Sequence, residues 1–122
     1  MKKTRISECK LIQISGSKDS RGSLNFIHFE GDSLPFKPLR LFYITHVPTL
    51  CTRGNHAHKS CDQYLIAITG KIQVNLYDGH DKRCIDLLNS DVGVYIPSGI
   101  WSSQTFLSEN SCLAVLASHN YD

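Results

Sequence analysis

Two histidines, His56 and His58, stand two residues apart in the run Arg53-Gly54-Asn55-His56-Ala57-His58, shortly before the apolar stretch from Tyr64 to Ile68. Side chains alternate along an extended segment, so positions i and i+2 face one side and both imidazoles can converge on one cavity. Such a pair is either half of a metal site or the acid–base equipment of a site that moves protons. An imidazole with its free pKa of about 6.5 is available as base or acid near neutral pH. A metal site needs further donors at hand. Gln63 lies on the same side, while Asp62 next to it should face the opposite way.

The elements that must hold this pair read as short strands. Thr4 to Ile14 is an expected first strand, with Ile6, Leu11, Ile12 and Ile14 as burial candidates. The run from Ser15 to Gly22 is small, polar and glycine-bearing, which predicts a turn or exposed loop. Ser23 to Phe29 alternates; Gly31, Pro35 and Pro38 then interrupt regular structure, and Leu39 to Thr45 is a strand carrying Tyr43. Asp62 to Tyr77 reads as strand, Gly70-Lys71 turn and strand, followed by a hairpin signal at Asp78-Gly79-His80-Asp81. Arg83 to Leu88, Val92 to Ile96, Ile100 to Phe106 and Cys112 to Ala117 complete the set. No segment keeps a helical period. Eight to ten short strands with frequent turns predict an all-β barrel or sandwich.

With 122 residues the chain is expected to form one domain, residues 1–122, able to bury roughly two-thirds of its unfolded surface. A hydrophobic share of 41% with 20% charged residues is that of an ordinary globular protein. The formal charge of +2 provides no basic field for nucleic acid. No apolar stretch approaches the roughly 20 residues of a membrane span, and Met1-Lys2-Lys3-Thr4-Arg5 lacks a signal-peptide core. The 5 cysteines are odd in number and form no CxxC, which fits reduced thiols in a cytoplasmic protein.

The spacing Gly-x-His-x-His with Gln63 and Gly70 following resembles the first motif of the cupins, and Pro97-Ser98-Gly99-Ile100-Trp101-Ser102 resembles their second. The resemblance implies an RmlC-like jelly-roll, a small β-barrel with the site in its mouth. Metal-binding cupins use a glutamate and a further histidine where this chain has Gln63 and Ser102. Neutral amide and hydroxyl oxygens are poor ligands for a transition metal, so the metal reading is the weaker one.

Four stretches narrow the match: Asp19-Ser20-Arg21-Gly22-Ser23-Leu24, Arg40-Leu41-Phe42-Tyr43-Ile44, Arg53 to Lys59, and the closing Val115 to Asp122 with its Tyr121-Asp122. They resemble the cupin sugar-nucleotide 3,4-ketoisomerases of the WxcM-like family. The resemblance implies a dTDP-linked 4-oxo-6-deoxyhexose as substrate, no metal or organic cofactor, and a homodimer. The implied reaction moves the ketone of dTDP-4-oxo-6-deoxyglucose from C4 to C3 through an enediol, as part of deoxysugar or surface-glycan (O-antigen, lipopolysaccharide) synthesis. His56 and His58 are then the expected base and acid, with Tyr43 able to donate to or relay a proton from a sugar oxygen. Arg21, whose fork grips two phosphate oxygens, is the diphosphate candidate, its alternative being an ion pair with Asp19. Arg53 is expected to meet developing negative charge or a phosphate, Gln63 the sugar, and Trp101 to wall the pocket. Competing readings are a dTDP-sugar 3,5-epimerase, which pairs a histidine with a distant aspartate and tyrosine, and a non-catalytic dTDP-sugar-binding domain. Family members run on past the closing Tyr-Asp, where this sequence stops, which bears on subunit contacts.

Overall fold

A computed structural model of the chain describes residues 3–120; Tyr121 and Asp122 of the closing motif lie outside the described residues. After a single 3-10 turn, Ile6–Glu8, come eleven strands: β1 (Lys10–Gln13), β2 (Ser15–Asp19), β3 (Gly22–Phe26), β4 (Arg40–Ile44), β5 (Thr52–Ala57), β6 (Gln63–Thr69), β7 (Ile72–Tyr77), β8 (Lys82–Leu87), β9 (Val92–Ile96), β10 (Trp101–Phe106) and β11 (Cys112–Ala117). Every pairing is antiparallel. One sheet has the order β1-β9-β6-β11-β4 and the other β5-β10-β7-β8, while β2 and β3 form a separate hairpin. This is the double-sheet barrel architecture expected.

The core lies between the two sheets. Leu65, Ala67, Val94, Leu113 and Val115 from the first meet Ile72, Val74, Leu76, Ile85, Leu87 and Phe106 from the second. A second apolar cluster covers the outer face of the first sheet, where Tyr64, Ile66 and Leu116 pack beneath Leu34, Ile27 and Phe36. Strand β6 is therefore buried on both faces, which explains why its sequence is continuously apolar where half-buried strands alternate. The phenol of Tyr64 satisfies its one polar atom by donating to the Ile12 carbonyl at 2.8 Å. The segment with two prolines, which reads as a mere interruption, thus supplies the cover for that outer cluster.

Two expectations at the start of the chain are corrected. Residues 4–14 do not form one strand: Glu8 ends a turn whose first residue, Ile6, donates its N–H to Asp78, and only Lys10–Gln13 enters the sheet. Leu11 is half exposed there, while Ile12 and Ile14 pack at the edge of the outer cluster. The polar run Ser15–Asp19 is a strand and not a loop, because its backbone pairs with β3 from Ser15↔Phe26 to Asp19↔Gly22. Its side chains are exposed throughout, so no hydrophobic alternation marks it.

Candidate active site

Strand β5, at the edge of its sheet and antiparallel to β10, carries His56, and His58 follows its last residue. Ser102 stands opposite His56 and Gln104 opposite Arg53, so the register slips between them. The extra residue is taken up at Gly54 and Asn55, with φ of 99° and 54°. This β-bulge has a functional result. Arg53 and His56 are three positions apart and would face opposite sides of a regular strand, yet both line one cavity. Glycine is required at the bulge: a Cβ on Gly54 would sit 2.9 Å from Gln104 Oε1 and 3.3 Å from the Ser102 carbonyl.

The cavity, about 880 Å³, opens in the seam between β5 and β4, the edge strands of the two sheets. The rings of His56 and His58 lie edge to face, with centroids 4.7 Å apart. His58 is half buried, and its Nε2 is shut off from solvent without a hydrogen-bond partner. Burial first, then the charges of His56 and Arg40, hold the His58 pKa below the ordinary imidazole value. The ring is neutral at neutral pH and its proton-accepting form dominates. The His58 carbonyl is fixed by the N–H of Gly99 at 2.8 Å, which ties the end of the histidine run to the turn before β10.

Buried polar side chains make the deep part of the cavity. Gln63 at the start of β6 and Ser102 and Gln104 of β10 all line it, each less than a tenth exposed. Gln104 Nε2–H donates to Ser102 Oγ at 3.3 Å. Strand β4 contributes Arg40, Phe42 and Ile44, with the Arg40 guanidinium 5.0 Å above the Phe42 ring. At the rim, Lys59 and Ser60 meet His119 and Asn120 from the end of the chain. The His119 Nδ1 is 2.7 Å from Ser118 Oγ, which in turn accepts the Asp62 N–H. The Asp62 carboxylate itself turns away from the cavity and accepts the Ser98 N–H, as its strand parity implied.

Among the described residues the lining holds Arg40, Arg53, Lys59 and three histidines and no carboxylate. It is built for an anion. Among the described residues no three His, Cys, Asp or Glu side chains gather into a metal-binding group; beside the histidines stand an amide and a hydroxyl.

Of the residues expected to form the site, His56, His58, Arg53 and Gln63 come together in this cavity. Tyr43 does not. Alternation along β4 sends Arg40, Phe42 and Ile44 inward and leaves Tyr43 on the outer face, 69% exposed. Trp101 is one position out of phase with Ser102 and faces the other side of its sheet, away from the cavity. Arg21 lies at the tip of the β2–β3 hairpin, outside the cavity, and pairs with Asp19 at 2.8 Å. Sequence reasoning missed Arg40, Phe42, Gln104, Lys59 and His119, and it considered Ser102 only as an absent metal ligand. A strand apolar on both faces, such as Leu41-Phe42-Tyr43-Ile44, gives no parity signal from which Arg40 and Phe42 could have been preferred to Tyr43.

A double-sheet barrel whose mouth holds paired histidines among cationic and neutral polar side chains defines a cupin. The WxcM-like, C-terminal (FdtA) family matches residues 7–122, and the chain belongs to that family. It is 36% identical over 115 residues to the TDP-4-oxo-6-deoxy-α-D-glucose-3,4-oxoisomerase of Aneurinibacillus thermoaerophilus, spanning 94% of this chain and 82% of that one. Among solved structures it is similar to QdtA, a sugar 3,4-ketoisomerase from Thermoanaerobacterium thermosaccharolyticum in complex with TDP. That match has a TM-score of 0.90 and 33% identity, covering 97% of this chain and 85% of that one. The RmlC epimerase of Mycobacterium tuberculosis shares the fold alone, with a TM-score of 0.81 at 16% identity over 98% of this chain and 67% of that one.

Proposed function

We propose that this chain is a sugar-nucleotide 3,4-ketoisomerase, converting a TDP-linked 4-oxo-6-deoxyglucose into its 3-oxo isomer for deoxysugar synthesis. The observation that carries the reading is the pair of edge-to-face imidazoles in a cavity whose described lining has cations and no carboxylate. The related oxoisomerase and ketoisomerase, with the TDP bound to the latter, supply the substrate class. A 3,5-epimerase that pairs histidine with aspartate finds no aspartate among the described residues of this lining.

The chemistry follows from the side chains. His58, held neutral, takes the C3 proton; the electron pair forms the C3–C4 double bond of an enediolate, and charge moves to O4. His56, its ring against that of His58, holds the proton to be delivered at C4. Gln63 hydrogen-bonds the sugar from below, and Arg53 with Arg40 and Lys59 meets the diphosphate and the developing negative charge. The donor set suits a reaction that uses neither metal nor organic cofactor. In deuterated water the 4-oxo substrate should give a 3-oxo product labelled at C4, with chelator making no difference; unchanged substrate, or label at C5, would refute the assignment. His56→Asn and His58→Asn should each lower kcat by about 10²-fold or more, the scale of a lost general acid or base, with the fold retained.

The proposal extends to one cupin domain acting as a homodimer in the cytoplasm. Leu39, Leu41 and Tyr43 form an exposed apolar row on the outer side of edge strand β4, and Leu24 and Phe26 are exposed on the β2–β3 hairpin. Two-stranded hairpins are marginal in water by themselves, and a second copy is the occupant proposed for these surfaces. All five cysteines are free thiols, and no helix among the described residues is long and apolar enough to cross a membrane. Light scattering should give twice the chain mass; a monomer would overturn the dimer.

A further inference from the structure

Moving a ketone from C4 to C3 requires more than carbon acid–base chemistry: a proton must also pass from O3 to O4. With Tyr43 on the outer face, the group expected to relay it is absent from the cavity. Among the described residues of the lining, two carry a hydroxyl, Ser60 and Ser102. Ser60 is exposed at the rim, whereas Ser102 is 6% exposed and stands directly opposite His56 across the β5–β10 ladder. Side chains of such a cross-strand pair share one face of the sheet, with Cβ atoms about 5 Å apart. A sugar carbon within reach of the imidazoles therefore presents its oxygens to the Ser102 hydroxyl.

The hydrogen bonding of Ser102 suits a relay. A hydroxyl offers one donor and two acceptor positions. Gln104 Nε2–H occupies one acceptor position at 3.3 Å, which leaves the Ser102 proton and the second lone pair for the cavity. Gln104 is itself 7% exposed, so the hydroxyl is held on a buried support.

We propose that Ser102 is the oxygen-to-oxygen proton relay of the isomerisation. This rests on the ketoisomerase reading above. After the C3 proton has gone to imidazole, O4 is anionic and O3 still bears its proton. Ser102 gives its hydroxyl proton to O4 and takes the O3 proton in the same exchange, ending as it began. The charge now sits on O3. Its lone pair forms the C3 carbonyl while the C3–C4 electron pair takes a proton from imidazolium at C4. No other reactant is consumed.

The test separates carbon exchange from carbonyl transfer. In deuterated water, Ser102→Ala should convert substrate at least about 10-fold more slowly, while deuterium continues to enter C3 of recovered 4-oxo substrate within about twofold of the wild-type rate. Ser102→Thr, which keeps the hydroxyl, should restore conversion, and Gln104→Met, which removes its support, should show the same split to a smaller degree. Titration with TDP and thermal melting report whether each variant is folded. If Ser102→Ala does not fold, the Gln104→Met split decides in its place. Equal loss of C3 exchange and conversion would overturn the relay, as would no loss of either. A wild-type protein that converts no 4-oxo sugar would instead remove the isomerase reading, and the relay with it.

Discussion

At the scale of single residues, the site works by making two neighbouring histidines unlike. His58 is half buried beside Arg40 and against the His56 ring, while His56 stands exposed on β5. The environment therefore favours the neutral form of His58, and that form is the one able to take a carbon-bound proton. The sign of the pH dependence follows. In the proposed mechanism His58 must be unprotonated to act, so kcat/KM should fall as pH drops through its pKa, which lies below the usual value of about 6.5. Replacing Arg40 by Met removes one of the charges that disfavour imidazolium. The His58 midpoint in an NMR titration should then move upward toward the free value, and the acid limb of kcat/KM should move with it. A midpoint unchanged or shifted downward would show that the charge of Arg40 is not felt at His58. The histidines were legible in the sequence because their spacing fits an extended segment. Their inequality was not, since it comes first from burial in the folded barrel and then from the charges of His56 and of Arg40 on β4.

At the scale of elements, the bulge in β5 decides what reaches the cavity. Regular alternation was sufficient to bring His56 and His58 together, but it would have turned Arg53 away. The two left-handed residues Gly54 and Asn55 restore it to the same side. Gly54→Ala would combine a φ of 99° with a Cβ pressed on Gln104 and the β10 backbone. A loss of about 1–3 kcal/mol is expected from such backbone strain, measured by denaturant unfolding. A larger KM should accompany it as Arg53 shifts; an unchanged KM would show that the bulge does not position that residue. The same scale explains the failures of sequence reading. Tyr43 and Trp101 were placed on the right strands and in the wrong phase, because β4 is apolar on both faces and β10 is buried through most of its length. The polar strand β2 showed no pattern at all, as only its backbone is engaged.

At the scale of the whole molecule, the fold class was the most legible property. Short apolar runs punctuated by turn residues admit few arrangements other than two antiparallel sheets, and the strands from β6 to β11 fall close to where the sequence put them. What sequence could not supply was the pairing order, which sets β4 and β5 at the two edges and so opens the seam between them. The exposure of this seam matters because its lining carries cations and histidines with no carboxylate among the described residues to offset them. A chain with a formal charge of only +2 thus sets Arg40, Arg53 and Lys59 together at this seam. The molecule has little long-range attraction for polyanions at large, yet its mouth should draw the diphosphate of the proposed substrate once it comes within about a Debye length, ~8–10 Å at physiological salt. Added salt weakens that capture before it touches the chemistry, so encounter and turnover are governed by separate parts of the same small cavity.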